Sequence, residues 1–431
     1  MLNVLITSAA NKVWLIQAFQ QAVRKNGGGL VHAADISANK AALLFADQVF
    51  ISPKSDQPNF INEIISYCLK STIKLIVPSR DAELAVFAEH RQDFTAKGIQ
   101  VMVSNLKTIK LCQDKYLFHE FCHKHKFNNI ATFLAEGNYL KEIPPNLFPV
   151  YVKPRTGSGS MMHQVIPSPK KLGLFLRFYD DTQFIIQELL KGKEITIDIF
   201  SDFNARVLSV VPRQRIDVQH GESYISQTIK NDELIVQCHK LAHKLQLIGH
   251  NTIQCFVEDI TGAIKFIEVN PRFGGGAALG FAAGHHTPEY LVQLLLYNNI
   301  HSITDSYIVN LLLYKYLNNK ILLKEGEVYQ ETLPDKQTFC IDIDGTICTE
   351  YCQYEDASPI YSVINKVNHL YQQGHKIILF TSRGYSSKTN WLPLIEKQLI
   401  DWGVNYHEIH QGKPYADYYI DNKAIDVLDW V

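Results

Sequence analysis

The sequence predicts a multidomain protein of mixed α/β and α+β class, and three features of its pattern say so. Strand-like apolar runs alternate with helical spacing over residues 1–108, strands set among Pro- and Gly-rich turns follow over 109–315, and a second alternating series fills 337–431. At 431 residues the chain is also too long for one ordinary hydrophobic core. Its composition, 46% hydrophobic and 20% charged, is that of a soluble globular protein.

Taken in order, Val4–Thr7 is a short strand, and Trp14–Arg24 has helical spacing and stops at Gly27-Gly28-Gly29. Leu30–Ala34 is a second strand ending at Asp35; Phe60–Leu69 is helical; Ile73–Val77 is a strand stopped by Pro78. This βαβ series calls for a parallel sheet with helices on its faces. The turn Ser8-Ala9-Ala10-Asn11 lacks the glycines of a dinucleotide fingerprint, so no nicotinamide site is expected there. Beyond residue 108, strands such as Val150–Lys153 and Glu194–Ser201 are interspersed with helices such as Leu234–Leu245. Residues 316–336 read as a trailing strand or two and a polar linker. Phe339–Ile343, Lys376–Phe380 and Tyr418–Ile420 are the strands of the last domain.

A formal charge of -1 carries no electrostatic footprint for nucleic acid or an anionic membrane. No apolar run approaches the roughly 18 residues a bilayer span needs. Met1–Ile6 lacks a basic flank and a cleavage site, so it reads as a first strand rather than a signal peptide. The eight cysteines are scattered, and neither Cys348 with Cys352 nor Cys122 with His123 and His125 has a partner pair at zinc spacing. A cytoplasmic protein with reduced thiols is the expectation.

Nucleotide triphosphate chemistry needs cations on the phosphates, oxygen ligands on magnesium and a cover that excludes water. Residues 109–276 offer these in sequence. Lys115 follows Asp114 at a helix start, and Lys153 ends a strand before the small residues Gly157, Ser158, Gly159 and Ser160. Backbone N–H groups of such a loop can approach phosphate oxygens. Ile185-Ile186-Gln187-Glu188-Leu189 runs from apolar to polar as an adenine-contacting hinge would, and Glu194 opens the next strand, in reach of ribose hydroxyls. Gln254, Glu268 and Asn270 are oxygen donors for magnesium; Glu268 and Asn270 are two apart and so share one strand face.

This ordered set resembles the ATP-grasp superfamily, specifically its carbamoyl-phosphate-synthase-like and carboxylate–amine ligase branch. The resemblance covers residues 1 to about 315 and includes Pro78-Ser79-Arg80-Asp81-Ala82-Glu83-Leu84, which is similar to that branch's Pro-x-x-Asp-x-Glu-Leu turn. It implies that Lys115 and Lys153 bind ATP phosphates and that Glu188 and Glu194 bind adenosine. It also implies that Gln254, Glu268 and Asn270 hold Mg2+ (or Mn2+), and that Arg272 steadies the transferred phosphoryl group. Arg213 and Arg215 would meet the acyl phosphate or the substrate carboxylate. Gln254 stands where some members carry an acid, which takes one charge from the metal face.

The last domain carries a second phosphate signature. Asp342 and Asp344 end an apolar strand, spaced for a nucleophile and a general acid around magnesium. Gly345 permits a sharp turn and Thr346 is placed to cap the next element. Thr381 ends a buried strand, Lys413 follows Gln411-Gly412, and Asp421 ends a third strand as a further metal carboxylate. These residues resemble the haloacid-dehalogenase-like (HAD) phosphatases, over residues 337–431, with a Rossmann-like fold. The resemblance implies that Asp342 is the nucleophile, that Asp344 is the acid/base and that Thr381 and Lys413 bind the phosphoryl group. Asp421 would bind magnesium with Asp342 and Asp344. The stretch from Gly412 to Ala424 is similar to a small branch found with surface-polysaccharide genes, in which the last acid is often doubled; here that position is Asn422, with Asp417 nearby. About 35 residues separate the first two motifs, too few for a large cap domain.

The resulting expectation is a bifunctional enzyme that uses ATP and Mg2+. One centre would join a small-molecule carboxylate to an amine or ammonia through an acyl phosphate. The other would hydrolyse a phosphorylated small molecule through an aspartyl phosphate. The setting would be small-molecule or surface-polysaccharide biosynthesis. The alternatives are a kinase in the first half that leaves phosphate on its acceptor, or a second half that only binds. Oligomeric state is open, a homodimer included.

Overall fold

Short, mostly apolar runs build the first sheet. Strands β1 (Asn3–Thr7), β2 (Val31–Asp35), β3 (Gln48–Ile51), β4 (Ile73–Pro78) and β5 (Gln100–Val101) pair in parallel in the order β3-β2-β1-β4-β5. Helices α1 (Val13–Lys25), α2 (Phe60–Lys70), α3 (Asp81–Glu89) and α4 (Arg91–Thr95) connect them. All five residues of β2 are buried, as a sheet covered on both faces requires. Pro78 is the last residue of β4, beside Thr7, rather than the first beyond the strand. The computed structural model describes residues 2–135, 143–157, 162–177, 183–219, 221–300, 306–316, 337–350, 353–384, 389–412 and 418–420. The chain divides into two units, Met1–Tyr316 and Leu317–Val431.

Within the first unit, α5 (Leu106–Gln113) and α6 (Lys115–Lys124) lead to a four-stranded antiparallel sheet. Its strands are β6 (Thr132–Leu134), β7 (Val150–Pro154), β8 (Gln164–Ile166) and β9 (Phe184–Glu188), in the order β6-β9-β7-β8, with α7 (Pro169–Leu176) between β8 and β9. A six-stranded antiparallel sheet follows. It is made of β10 (Gly192–Ser201), β11 (Val207–Gln219), β12 (Glu222–Thr228), β13 (Gly249–Glu258), β14 (Ile264–Asn270) and β15 (Leu312–Tyr314), ordered β14-β13-β10-β11-β12-β15. Helix α8 (Asp232–Leu245) buries Leu234, Cys238, Leu241, Ala242 and Leu245, a 3.6-residue stripe, in a shared core with Ile195, Ile197 and Ile199 of β10.

Helices α9 (Ala277–Ala282) and α10 (Thr287–Tyr297) tie the first sheet to the rest of the unit. Phe273, Phe281, Tyr290 and Leu291 share one core with Leu15, Ile16 and Phe19 of α1 and with Val4 and Ile6 of β1. Phe19 meets Phe273 edge-on with ring centroids 5.9 Å apart. Residues far apart in the chain therefore bury each other, and the parallel sheet is fixed against the segment that follows β14.

In the second unit β16 (Thr338–Asp342), β17 (Lys376–Thr381), β18 (Glu408–Gln411) and β19 (Tyr418–Ile420) form a parallel sheet ordered β18-β17-β16-β19. Helices α11 (Tyr361–Gln372) and α12 (Leu392–Asp401) contribute Val363, Ile364, Val367, Ile395 and Leu399 to its core. Residues 317–336, where the trailing strand and linker are expected, lie outside the described residues.

Candidate active site

The first unit holds a cavity of about 550 Å3. Lys115, Lys153, Gly157, Gln187, Glu188, Glu194, Arg213, Arg215, Gln254, Glu268, Asn270 and Arg272 all line it. Ser158 and Gly159 lie outside the described residues.

Local structure explains how the lysine end is assembled. Asp114 caps α6, its Oδ1 accepting from the N–H groups of Tyr116 (2.9 Å) and Leu117 (3.1 Å). Its other oxygen accepts from Arg155 Nε at 2.8 Å, and Lys115 Nζ donates to the Gly157 carbonyl at 2.8 Å. The strand carrying Lys153 and the loop after it are thereby bound to the helix carrying Lys115. On the facing wall, β13 and β14 pair so that Gln254 lies opposite Glu268 and Thr252 opposite Asn270. Asn270 Nδ2 donates to Glu268 Oε1 at 3.3 Å.

Burial sets the electrostatics of this end. It brings Lys153 down to about 8, a fall that Lys115 adds to and Glu268 opposes. Burial lowers Lys115 as well, against the pull of Glu268 and Asp81. Burial acts to raise Glu268, yet Lys153 and Lys115 together hold its carboxyl below the ordinary value. Two desolvated ammonium groups thus share the field of Glu268, with Asp81 and Asp114 acting also on Lys115 and Glu194 on Lys153. An anion with several oxygens, accompanied by a divalent cation on Glu268, Asn270 and Gln254, suits such a donor set.

The arginine end is arranged differently. Arg213 is 2% exposed and grips Asp198 with Nε (2.8 Å) and Nη2 (3.1 Å). Gly276 packs closely against it: a Cβ at that position would lie 2.5 Å from Arg213 Nη1 and force the guanidinium to shift. Arg215 pairs with Glu194 and donates to the Gly221 carbonyl at 2.7 Å. Arg272 bonds Asp81 through Nη2 (2.7 Å) and Nε (3.1 Å). The expected ribose ligand Glu194 is therefore engaged by the expected substrate ligand Arg215. Glu188, expected at adenosine, has its carboxylate on the Ala131 N–H (3.0 Å) and Lys265 Nζ (2.8 Å), and Gln187 Nε2 donates to Thr132 Oγ1 at 2.9 Å.

The turn from Pro78 to Leu84 acquires a structural reason. Glu83 accepts from Thr7 Oγ1 (2.9 Å), Ser8 Oγ (2.8 Å), Ser79 N (2.8 Å) and Arg80 N (3.2 Å). Burial raises its pKa, and these donors act against the rise. Glu83 locks the ends of β1 and β4 together, and Asp81 reaches from that locked turn to Arg272.

In the second unit Asp342 ends β16, and Gly345 turns the chain at φ +81°. Asp344 Oδ2 accepts from Thr381 Oγ1 at 3.1 Å. Arg383, fully buried, donates to Asp344 Oδ1 through Nη2 (2.6 Å) and Nε (2.9 Å), and to Gln398 Oε1 through Nη1 (2.9 Å). Its guanidinium lies 4.5 Å from the Tyr354 ring centroid. The expected cap at Thr346 is a correction: its Oγ1 is buried without a hydrogen-bond partner among the described residues, because the turn directs it into the core rather than to a helix start. Lys413, Asp417, Asp421 and Asn422 lie outside the described residues.

The sequence reading missed Asp198, Tyr151 and His163, and gave no role to Arg383. Tyr151 was visible as the residue two before Lys153, on the same strand face. His163 follows the small-residue loop closely. Asp198 had no local signal, because its partner lies on the neighbouring strand.

Residues 4–102 match a family model described as PylC-like, N-terminal domain, and residues 180–312 match one described as ATP-grasp in the biosynthetic pathway with Ter operon. The carbamoyl phosphate synthase large chain of Methanothermobacter thermautotrophicus is 27% identical over 258 residues, which is 55% of this chain and 24% of that protein. The chain thus spans about a quarter of that relative's length. D-alanine–D-alanine ligase A of Bacillus cereus is 23% identical over 218 residues, covering 45% of this chain and 70% of the ligase. Among solved structures, the biotin carboxylase domain of Hydrogenobacter thermophilus 2-oxoglutarate carboxylase, complexed with MgADP, ADP and bicarbonate, superposes with a TM-score of 0.59 at 14% identity, covering 72% of this chain and 73% of that one. N5-carboxyaminoimidazole synthetase from Staphylococcus aureus, complexed with ADP, gives 0.58 at 15% identity, covering 72% and 80%. Residues 180–312 thus carry an ATP-grasp family match, and the fold of the chain is similar to that of these ADP-bound carboxylase and synthetase structures.

Proposed function

We propose that the first unit is an ATP-dependent ligase of the carboxylate–amine type. The observation that carries this reading is the pair of buried lysines, Lys115 and Lys153, facing Glu268 and Asn270 across one cavity. The relatives named as synthases, synthetases and ligases support the same class. In this reading the lysines hold the β- and γ-phosphates of ATP. Glu268, Asn270 and Gln254 would hold Mg2+, which supplies charge neutralisation on the phosphate oxygens. A substrate carboxylate oxygen bonds to the γ-phosphorus as the bond to ADP breaks, giving an acyl phosphate. An amine then attacks the acyl carbon and phosphate leaves. Arg272, held by Asp81, would meet the phosphoryl oxygens, while Arg213 and Arg215 would meet the substrate's acidic group.

For the second unit we infer a phosphomonoesterase. Asp342 stands at the end of a central parallel strand, beside Asp344 and Thr381, in the position where open α/β sheets carry their sites. Asp342 would take the phosphoryl group and water would release it, with Asp344 oriented by Arg383 and Thr381. Lys413 and Asp421 complete the proposed set.

The test is a screen of carboxylates with amines for ADP release, run on the Asp342→Asn protein so that phosphate from the second unit does not enter the count. A ligase releases ADP and phosphate in equal amounts; ADP alone would mean a kinase. Magnesium-dependent hydrolysis of p-nitrophenyl phosphate, lost in Asp342→Asn, tests the second unit. Hydrolysis that survives the substitution removes Asp342 as nucleophile.

A further inference from the structure

One imidazole lines the cavity among the described residues, and the reaction as proposed does not use it. His163 immediately precedes β8. The last pair of the β7–β8 ladder is Val152 with Gln164, so the register sets His163 opposite Lys153, on the face that also carries Tyr151. Tyr151 Oη and His163 Nδ1 are 2.7 Å apart, and the rings meet edge-on with centroids 5.5 Å apart.

The hydrogen bond has a direction. Burial, aided by Glu194 and Glu268, raises the Tyr151 phenol, so it stays protonated and donates to Nδ1. The proton of a neutral imidazole then sits on Nε2, leaving an N–H donor at the other end of the ring. Burial lowers the His163 pKa, with Lys153 and Lys115 acting in the same sense, so the ring is neutral at physiological pH. A neutral donor beside two ammonium groups adds a hydrogen bond without adding to their mutual repulsion.

Resting on the ATP reading above, we propose that His163 is a further catalytic residue, donating from Nε2 to an oxygen of the phosphoryl group as it passes from ADP to the substrate carboxylate, and that Tyr151 positions it. The donor stands across the β7–β8 ladder from Lys153 and lines the same cavity as Lys153 and Glu268. A preorganised donor of this kind acts on the transition state more than on bound nucleotide.

The experiment needs no knowledge of the carboxylate. Calorimetry on the full chain measures binding of MgADP alone and of MgADP with aluminium fluoride, which imitates the phosphoryl group in flight. In His163→Ala the fluoride complex should weaken about 10- to 100-fold, and in Tyr151→Phe about 3- to 10-fold, while MgADP alone stays within about threefold. His163→Gln keeps an N–H donor and should recover most of the loss. Equal fluoride binding in His163→Ala and the parent protein overturns the proposal, as does an equal loss of MgADP alone. Lys153→Met separates the two readings: if it binds MgADP like the parent protein, the nucleotide assignment is at fault and not His163.

Discussion

The two ends of the cavity hold their cations in opposite ways. At one end Lys115 and Lys153 share the field of Glu268, and burial lowers both. At the other, Arg213 and Arg215 are each in contact with a carboxylate of their own, Asp198 and Glu194, while Arg272, which also reaches Asn270, is held by Asp81. Burial acts to raise Asp198, but Arg213 overrides it and brings the group to about 2. The difference teaches where a polyanion belongs. A triphosphate would bring anionic oxygens to lysines whose burial disfavours the ammonium form. At the arginine end it would have to displace carboxylates, so those guanidiniums suit a smaller, directional contact through the N–H groups they have left.

The largest effect that tests this contrast is on stability. Asp198→Asn keeps the shape of the side chain but strands the buried Arg213 guanidinium, and should cost about 3–5 kcal/mol in urea denaturation. Adding Arg213→Met should restore most of it. Lys153→Met, by contrast, removes a desolvated ammonium and should leave the nucleotide-free protein as stable or more so. If Lys153→Met destabilises as much as Asp198→Asn, the two ends are built alike and the contrast fails.

Nucleotide binding sharpens it from the other side. Lys153→Met should weaken MgATP at least about 100-fold, the loss expected for a buried charge-assisted contact, whereas Arg213→Met should change it by less than about threefold. The pH dependence follows from the same lysine. In the free protein Lys153 titrates near 8 instead of its ordinary 10.5, so between those values the unfolded chain binds more protons and stability rises with pH. Bound phosphates favour the ammonium, so MgATP affinity should fall above about pH 8, approaching tenfold per pH unit, and Lys153→Met should flatten that limb.

Much of the lysine end was legible in the sequence because its residues are announced locally. Lys115 follows a capping aspartate, Lys153 closes an apolar strand, and Glu268 and Asn270 alternate on one face. Strands β1, β2, β4, β16, β17 and β19 of the parallel sheets were legible for the same reason, within a residue or two at each end, whereas the short edge strands β3, β5 and β18 went unread. The arginine end was not. Asp81 and Arg272 are 191 residues apart, and Asp198 reaches Arg213 diagonally across β10 and β11, where the register pairs it with Val211. Such pairs depend on tertiary placement, which no local pattern encodes. Arg383 was hidden in another way: a charged residue in a loop reads as solvated, yet Asp344, Gln398 and Tyr354 enclose it completely.

The smallest expected effect concerns Asp81, and it bears on the whole contrast. Its pair with Arg272 is 22% and 18% exposed, so water screens it far more than the Asp198 pair. Asp81→Asn should cost about 1 kcal/mol or less, and MgATP binding should change by less than about threefold. What it should alter is the position of Arg272, since a neutral amide no longer anchors both Nε and Nη2 against the pull of the phosphoryl oxygens. Turnover should therefore change more than KM for ATP. A stability loss approaching that of Asp198→Asn would mean that the turn locked by Glu83 depends on this ion pair, and that Asp81 serves the joint between the parallel sheet and β14 rather than the cavity.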